Sequence, residues 1–217
     1  MKQYSDKNIY RDSVMIGKIH HSLEDPVSNI LYYISDKIAP ILKYIDHTPN
    51  QVTTMRFSLL LIAVLYCIPH KMYRVGATLY MLSYFGDCLD GLYSRKYDMV
   101  SNFGDYYDHI ADIISMIITM YILYNTVDDS HQWVIHLIVI MLFLSMLQIG
   151  CQERYIDMMN LSSGYTSPSI STSTYMCPKS IVPDNDVEYL MEYTRLFGVG
   201  SVQLIITIVM WNLGSIA

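Results

Sequence analysis

Charge is scarce in this chain. Asp, Glu, Lys and Arg make up 16% of its 217 residues, against roughly 25% in an average soluble domain. What charge there is leans negative, with 14 Lys+Arg against 20 Asp+Glu and a formal net charge of −6. A chain without a basic surplus offers little to a phosphate backbone, which argues against a nucleic-acid partner. Cysteine is also sparse. Cys67, Cys88, Cys151 and Cys177 stand far apart with no CxxC pair, so neither a zinc cluster nor a disulfide scaffold is expected. The N-terminus lacks the apolar stretch of a signal peptide, because Lys2, Asp6, Lys7, Arg11 and Asp12 interrupt it; no cleaved leader is expected there. Low charge combined with 52% hydrophobic residues argues against disorder, and the length fits one domain.

The apolar residues are gathered into runs. Residues 57–68, 75–85, 110–124, 133–149 and 199–213 are apolar with few interruptions. A bilayer core about 30 Å thick takes roughly 20 helical residues, so the shorter runs must extend into charged flanks. A buried helix of a soluble domain could explain any one run. Five in one chain point to a multi-pass membrane protein that has the lipid bilayer as a partner. The expected fold is all-α: an N-terminal interfacial amphipathic helix followed by five transmembrane helices.

The interfacial helix is read over 26–46. Asp25-Pro26 has the form of an N-cap followed by proline at the first helical position. Val27, Ile30, Leu31, Ile34, Ile38, Ile41, Leu42 and Ile45 then recur every three or four residues as one stripe. Asp36, Lys37, Lys43 and Asp46 lie opposite, too much charge to span, so the helix is expected in the membrane interface, bent by Pro40. Thr48-Pro49-Asn50 makes a turn into the first span. With alternating spans, twelve of the 14 basic residues fall on the N-terminal side and only Lys71 and Arg74 on the other. The N-terminus and the inner helix ends are therefore expected to be cytosolic, in a membrane of endoplasmic reticulum or plasma-membrane type. The Asn160-Leu161-Ser162 sequon would then escape glycosylation. The chain divides into a polar segment (1–25), the interfacial helix (26–46), a four-span core (48–150), a polar cytosolic loop (151–194) and a C-terminal span (195–217). His136, within the fourth span, is expected between helices.

Five aspartates crowd the inner ends of the second and third spans: Asp87, Asp90, Asp105, Asp108 and Asp112. Acids at membrane depth are costly and point to function. Asp87 and Asp90 are three apart, Asp108 and Asp112 four apart, so each pair shares a helix face. A short connection lets the two faces meet. Carboxylates this close need cations between them, and an all-oxygen set selects Mg²⁺, Mn²⁺ or Ca²⁺. Two bridged ions are a device for displacement at phosphorus. Gly91 and Gly104 leave room for a ligand or a close backbone, and Arg95 offers a donor fork to phosphate.

Residues 87–112 read DCLDGLYSRKYDMVSNFGDYYDHIAD. This resembles the signature of the CDP-alcohol phosphatidyltransferases, D-x2-D-G-x2-A-R-x8-G-x3-D-x3-D. Seven of its eight fixed positions are met; Ser94 stands where the family has Ala. The turn at Thr48-Pro49-Asn50 is similar to the family's N-terminal pattern. The resemblance implies that Asp87, Asp90 and Asp108 hold two divalent ions, Mg²⁺ or Mn²⁺. Asp112 helps bind metal and serves as the catalytic base for the acceptor hydroxyl, while Gly91, Ser94, Arg95 and Gly104 line the CDP site. It further implies CDP-diacylglycerol or another CDP-alcohol as donor, a small alcohol such as inositol, serine or glycerol 3-phosphate as acceptor, and a homodimer as in the family. Family members usually have six spans, one more than counted here. An Asp-His pair such as Asp108-His109 resembles the branch that moves choline or ethanolamine phosphate onto diacylglycerol, a second reading. A membrane scaffold or divalent-cation carrier is a third; it would need the acids but not Gly91, Arg95 and Gly104.

Overall fold

The computed structural model describes residues 17–160 and 174–216, and these contain helices and turns but no strand. In chain order the helices are α1 (Pro26–Tyr44), α2 (Pro49–Leu61, continued by a π-helical turn over Ile62–Cys67), α3 (Tyr73–Lys96), α4 (Asn102–Thr126), α5 (Trp133–Asn160), α6 (Val187–Thr194) and α7 (Val199–Trp211). The sequon's Leu161 and Ser162, and part of the polar loop, lie outside the described residues.

Helix starts follow local chemistry. Asp25 caps α1 by accepting from the Val27 and Ser28 amides at 2.7 and 3.0 Å, with Pro26 next in line. Thr48 and Gln51 form a reciprocal capping box at the head of α2, again followed by proline. Ser101 caps α4 through the Gly104 amide. Pro40 leaves the Asp36 carbonyl without its helical donor, and Lys96 Nζ reaches both that carbonyl (3.3 Å) and the Asp36 carboxylate (2.6 Å).

Among the described residues, three helical stretches are long and apolar enough to cross a membrane: Pro49–Cys67, Trp133–Met159 and Val187–Trp211. The helices α3 and α4 have 24 and 25 residues, about 36 Å each, but they carry the acidic cluster. The bundle is apolar outside and holds buried charge at one end. Ile113, Ile117, Leu137, Ile140, Phe143 and Ile208 are exposed, whereas Arg56 and Asp90 are buried. Such an exterior suits lipid rather than water. At the centre, α3 packs against α1, α2 and α7. The half of the bundle away from the acids is closed by Leu60, Val64, Ala77, Leu123, Ile138 and Ile206.

Inside this frame α1 buries Ser28, Ser35 and Ala39, while Ile30, Ile34 and Ile41 of its apolar stripe are exposed. Small residues let α1 approach α3 closely and turn its large apolar side chains outward. His136 is exposed in the first turns of α5 rather than set between helices.

Another difference is covalent. The wide spacing of the cysteines gave no expectation of a disulfide scaffold, and Cys151 and Cys177 form one bridge. The bond ties the C-terminal end of α5 to the segment before α6, over a small core of Val187, Met191 and Leu23. Buried Arg154 secures the same segment by donating to the Cys177 and Val182 carbonyls at 2.9 and 2.7 Å and to the Asp184 carboxylate. Those donations, with a further one from Lys179, hold the Asp184 carboxyl below its ordinary pKa.

Candidate active site

The two acidic helix ends meet as the spacing predicts, but a third helix completes the site. Asp87 and Asp90 come from the C-terminal half of α3, and Asp108 and Asp112 from the first turns of α4. One oxygen from each of Asp87, Asp90 and Asp108 lies within 4.8 Å of the others. An all-carboxylate set this tight fits a hard divalent cation. Asp112 extends the group outward: its side chain is 52% exposed, against 28% for Asp87, 31% for Asp108 and 5% for Asp90.

The residue that joins all four carboxylates is Arg56 of α2, which the sequence reading used only as a marker of membrane sidedness. Its Nε donates to Asp90 Oδ2 at 3.3 Å. Its Nη2 faces Asp87 Oδ1 at 3.1 Å, Asp112 Oδ1 at 2.9 Å and Asp108 Oδ1 in a shorter contact. The side chain is 4% exposed. Buried charge of this kind is tolerated only with partners, and here the partners outnumber it four to one. Thr53, one turn earlier on the same face, donates to Asp90 Oδ2 at 2.8 Å.

Close backbone approach makes this possible. A Cβ on Gly86 would lie 2.7 Å from Arg56 Cβ, and Ser83 Oγ donates to the Arg56 carbonyl at 2.7 Å. Glycine at 86 thus lets α2 cross α3 where Arg56 enters the acids. At Gly104 the neighbours are side-chain ends, Asn50 Oδ1 at 2.9 Å and Ser101 Oγ at 3.0 Å from an added Cβ.

Around Gly91 the surroundings are open. An added Cβ there would meet only the Arg95 guanidinium, the nearer nitrogen at 3.3 Å. Arg95 folds back along α3, with its guanidinium carbon 6.0 Å from the Tyr32 ring centroid, and its buried Nη2 has no hydrogen-bond partner among the described residues. An unpartnered buried donor is costly, and a diphosphate beside Gly91 would satisfy it. Ser94 spends its hydroxyl on the Gly91 carbonyl at 3.1 Å. Asp105 and His109 form a separate pair on α4, His109 Nδ1 lying 3.0 Å from the Asp105 carbonyl.

A family model described as CDP-alcohol phosphatidyltransferase matches residues 46–210. Among curated proteins, the CDP-diacylglycerol–glycerol-3-phosphate 3-phosphatidyltransferase of Rickettsia felis is 34% identical over 85 residues, covering 37% of this chain and 47% of that protein. The protein of the same name from Rickettsia bellii is 32% identical over 92 residues, covering 41% of this chain and 51% of its own length. The chain thus spans about half the length of the curated relatives it matches. No solved structure matches.

Proposed function

Because the chain belongs to the CDP-alcohol phosphatidyltransferase family, we propose that it transfers a phosphatidyl group from CDP-diacylglycerol to a small polar alcohol, releasing CMP. Of the acceptors considered, glycerol 3-phosphate is the one named by the Rickettsia relatives, and we take it as the first candidate. The carrying observation is the gathering of Asp87, Asp90, Asp108 and Asp112 beside the unpartnered Arg95 donor. A scaffold or cation carrier has no use for that donor. The contacts of His109 give no support to a CDP-choline or CDP-ethanolamine donor.

In this reading Asp87, Asp90 and Asp108 would hold two divalent ions, Mg²⁺ or Mn²⁺, with Asp112 helping to bind metal. When bound, the ions supply charge neutralisation at the diphosphate and the departing CMP. The rest is done by the chain. Arg95 binds the donor's phosphates by its free guanidinium edge, and Gly91 keeps the space beside it clear. The hydroxyl oxygen of the acceptor attacks the phosphorus next to the lipid ester. The bond to CMP breaks, CMP takes the electron pair, and Asp112, the most exposed of the four, receives the hydroxyl proton.

The same reading sets the protein in its membrane. The helices α3 and α4 join the three apolar stretches to give five spans, and α1 lies in the interface with Ile30, Ile34 and Ile41 toward lipid. The excess of basic residues on the N-terminal side supports a site at the cytosolic face.

The test is to supply membranes holding the protein with CDP-diacylglycerol and labelled glycerol 3-phosphate, inositol or serine in turn. The expected result is a labelled phosphatidyl product with glycerol 3-phosphate, formed with one CMP per product and abolished by excess EDTA. Transfer to none of the three with Mg²⁺ or Mn²⁺ present overturns the reading, and full turnover in EDTA removes the metals from it.

A further inference from the structure

The excess of carboxylates around one guanidinium has a consequence of its own. The Nη2 group of Arg56 carries two hydrogens but faces three carboxylate oxygens, from Asp87, Asp108 and Asp112. At least one of these contacts is therefore charge attraction without a directed hydrogen bond. Arg56 takes a single oxygen from each of the four aspartates, which leaves the second oxygen of each for another cation. Four negative charges stand against one positive.

We propose that Arg56 is a resident counter-cation. It assembles the four carboxylates when no divalent ion is bound and competes with divalent ions for them, which sets the metal concentration at which the site loads. This rests on the metal-dependent reading above.

The argument is a thermodynamic cycle. In the metal-free protein, loss of the guanidinium leaves four carboxylates crowded with no cation, and removal of one partner from a buried ionic group is strongly destabilising. In the metal-loaded protein the ions carry that charge, so the same loss costs less. The difference between the two costs equals the change in metal-binding free energy. A variant without the guanidinium must therefore bind divalent ions more tightly while being less stable without them. A residue that merely props the helices would show the opposite or nothing: its loss would loosen the ligand set and weaken metal binding.

Geometry favours this role over a simple helix–helix bridge. The guanidinium is enclosed while three of its four partners are partly open, so ions can reach the carboxylates without displacing the Arg56 stem. That stem starts against Gly86, and Ser83 ties down the Arg56 backbone carbonyl. Thr53 holds Asp90 independently, so one ligand stays in place when Arg56 gives up its share.

The test uses full-length protein in detergent, with Mn²⁺ as the probe, free Mn²⁺ followed by electron paramagnetic resonance, and thermal stability measured in EDTA and in Mn²⁺. For Arg56→Gln the expected results are a Mn²⁺ dissociation constant lowered about tenfold, within the 5–150-fold span usual for coupled sites, a lower melting temperature in EDTA, and a larger rise on adding Mn²⁺. Equal or weaker Mn²⁺ binding by Arg56→Gln overturns the proposal. If that variant does not fold, Arg56→Lys serves instead: its ammonium keeps the charge but loses the fork, so a smaller tightening is expected, and equal or weaker binding overturns the proposal as before. Wild-type protein that binds no Mn²⁺ at all defeats the metal-dependent reading together with this one. Wild-type protein that binds Mn²⁺ with a looser Arg56→Gln defeats this one alone.

Discussion

Asp25 and Arg56 are both buried charges on which helices converge, and they are balanced in opposite ways. Asp25 is fully buried; one oxygen accepts from Val27 and Ser28 at the head of α1, and the other accepts from Ser201 at the head of α7 at 2.8 Å. Two helix N-termini, each with partial positive charge, meet one carboxylate. Nothing is left over and nothing fits beside it, because a Cβ on Gly198 or Gly200 would come within 2.5–2.7 Å of the Asp25 side chain. Around Arg56 the charges do not balance and the carboxylates open outward. A closed, neutralised centre holds helices together. An open one with surplus charge has capacity for ions and substrate, and that is where reactivity is to be sought.

The largest expected effect lies on the open side. Asp112→Asn keeps the size of the side chain but cannot take the acceptor's proton, so turnover should fall by about 10²–10⁴ while CDP-diacylglycerol binding persists. Initial rates and donor binding at saturating Mg²⁺ check this. Near-normal turnover would remove Asp112 as the base, and equal loss of binding in Asp112→Asn and Asp108→Asn would make it chiefly a metal ligand.

On the closed side the expected loss is in stability. Asp25→Ala deletes caps on two helices, each worth roughly 0.5–2 kcal/mol, and should lower the melting temperature in detergent. Asp25→Asn should retain most of that stability, since an amide oxygen also caps. If Asn proves as damaging as Ala, the negative charge matters more than the geometry, and the two centres are alike in depending on charge.

The smallest effect concerns the neighbour of Asp25. Glu24 is buried, and burial raises its carboxyl above the ordinary value of 4.5, partly offset by hydrogen bonds from the Asp25 amide and the Gln152 side chain. A raised pKa in the folded state means that the folded chain binds the proton longer than the unfolded one. Stability therefore declines as pH rises from the unfolded value through the folded one. Glu24→Gln removes that decline and keeps an acceptor oxygen. Its melting temperature should exceed the wild type's slightly above neutral pH and match it at about pH 4. A deficit at neutral pH would mean that the ionised carboxylate contributes stability here.

Much of the site was legible because its chemistry is local in the chain. Asp87 to Asp112 lie on two consecutive helices, so sequence spacing translates directly into helix faces. The start of α1 was legible for the same reason, resting on a cap and a proline, whereas Thr48-Pro49-Asn50, read as a turn, is the capped first turn of α2 itself. Arg56 was not, because it reaches the acids from another helix, and a basic residue at a membrane mouth ordinarily reports sidedness. A usable signal existed: Thr53 and Arg56 share a face by their spacing, and Gly86 stands beside the first motif aspartate. The stripe of α1 was found, but periodicity cannot say whether an apolar face turns to protein or to lipid. Ser28, Ser35 and Ala39 carry that information, as small residues that allow close packing. The Cys151–Cys177 pair was hidden by separation, since residues 26 apart in sequence meet only through the tertiary fold.

The same pair bears on how the molecule lives outside a test tube. With its face toward the cytosol, as proposed, Cys151 and Cys177 meet a pool of small thiols that keeps such bonds open. The segment does not then come loose, because Arg154 grips it through two carbonyls and a carboxylate without help from sulfur. Opening therefore leaves two thiols side by side, ready to close as soon as cells are broken in air. A preparation handled without reductant would differ from the working protein by two hydrogen atoms, at a joint between the last long helix and the loop that follows it.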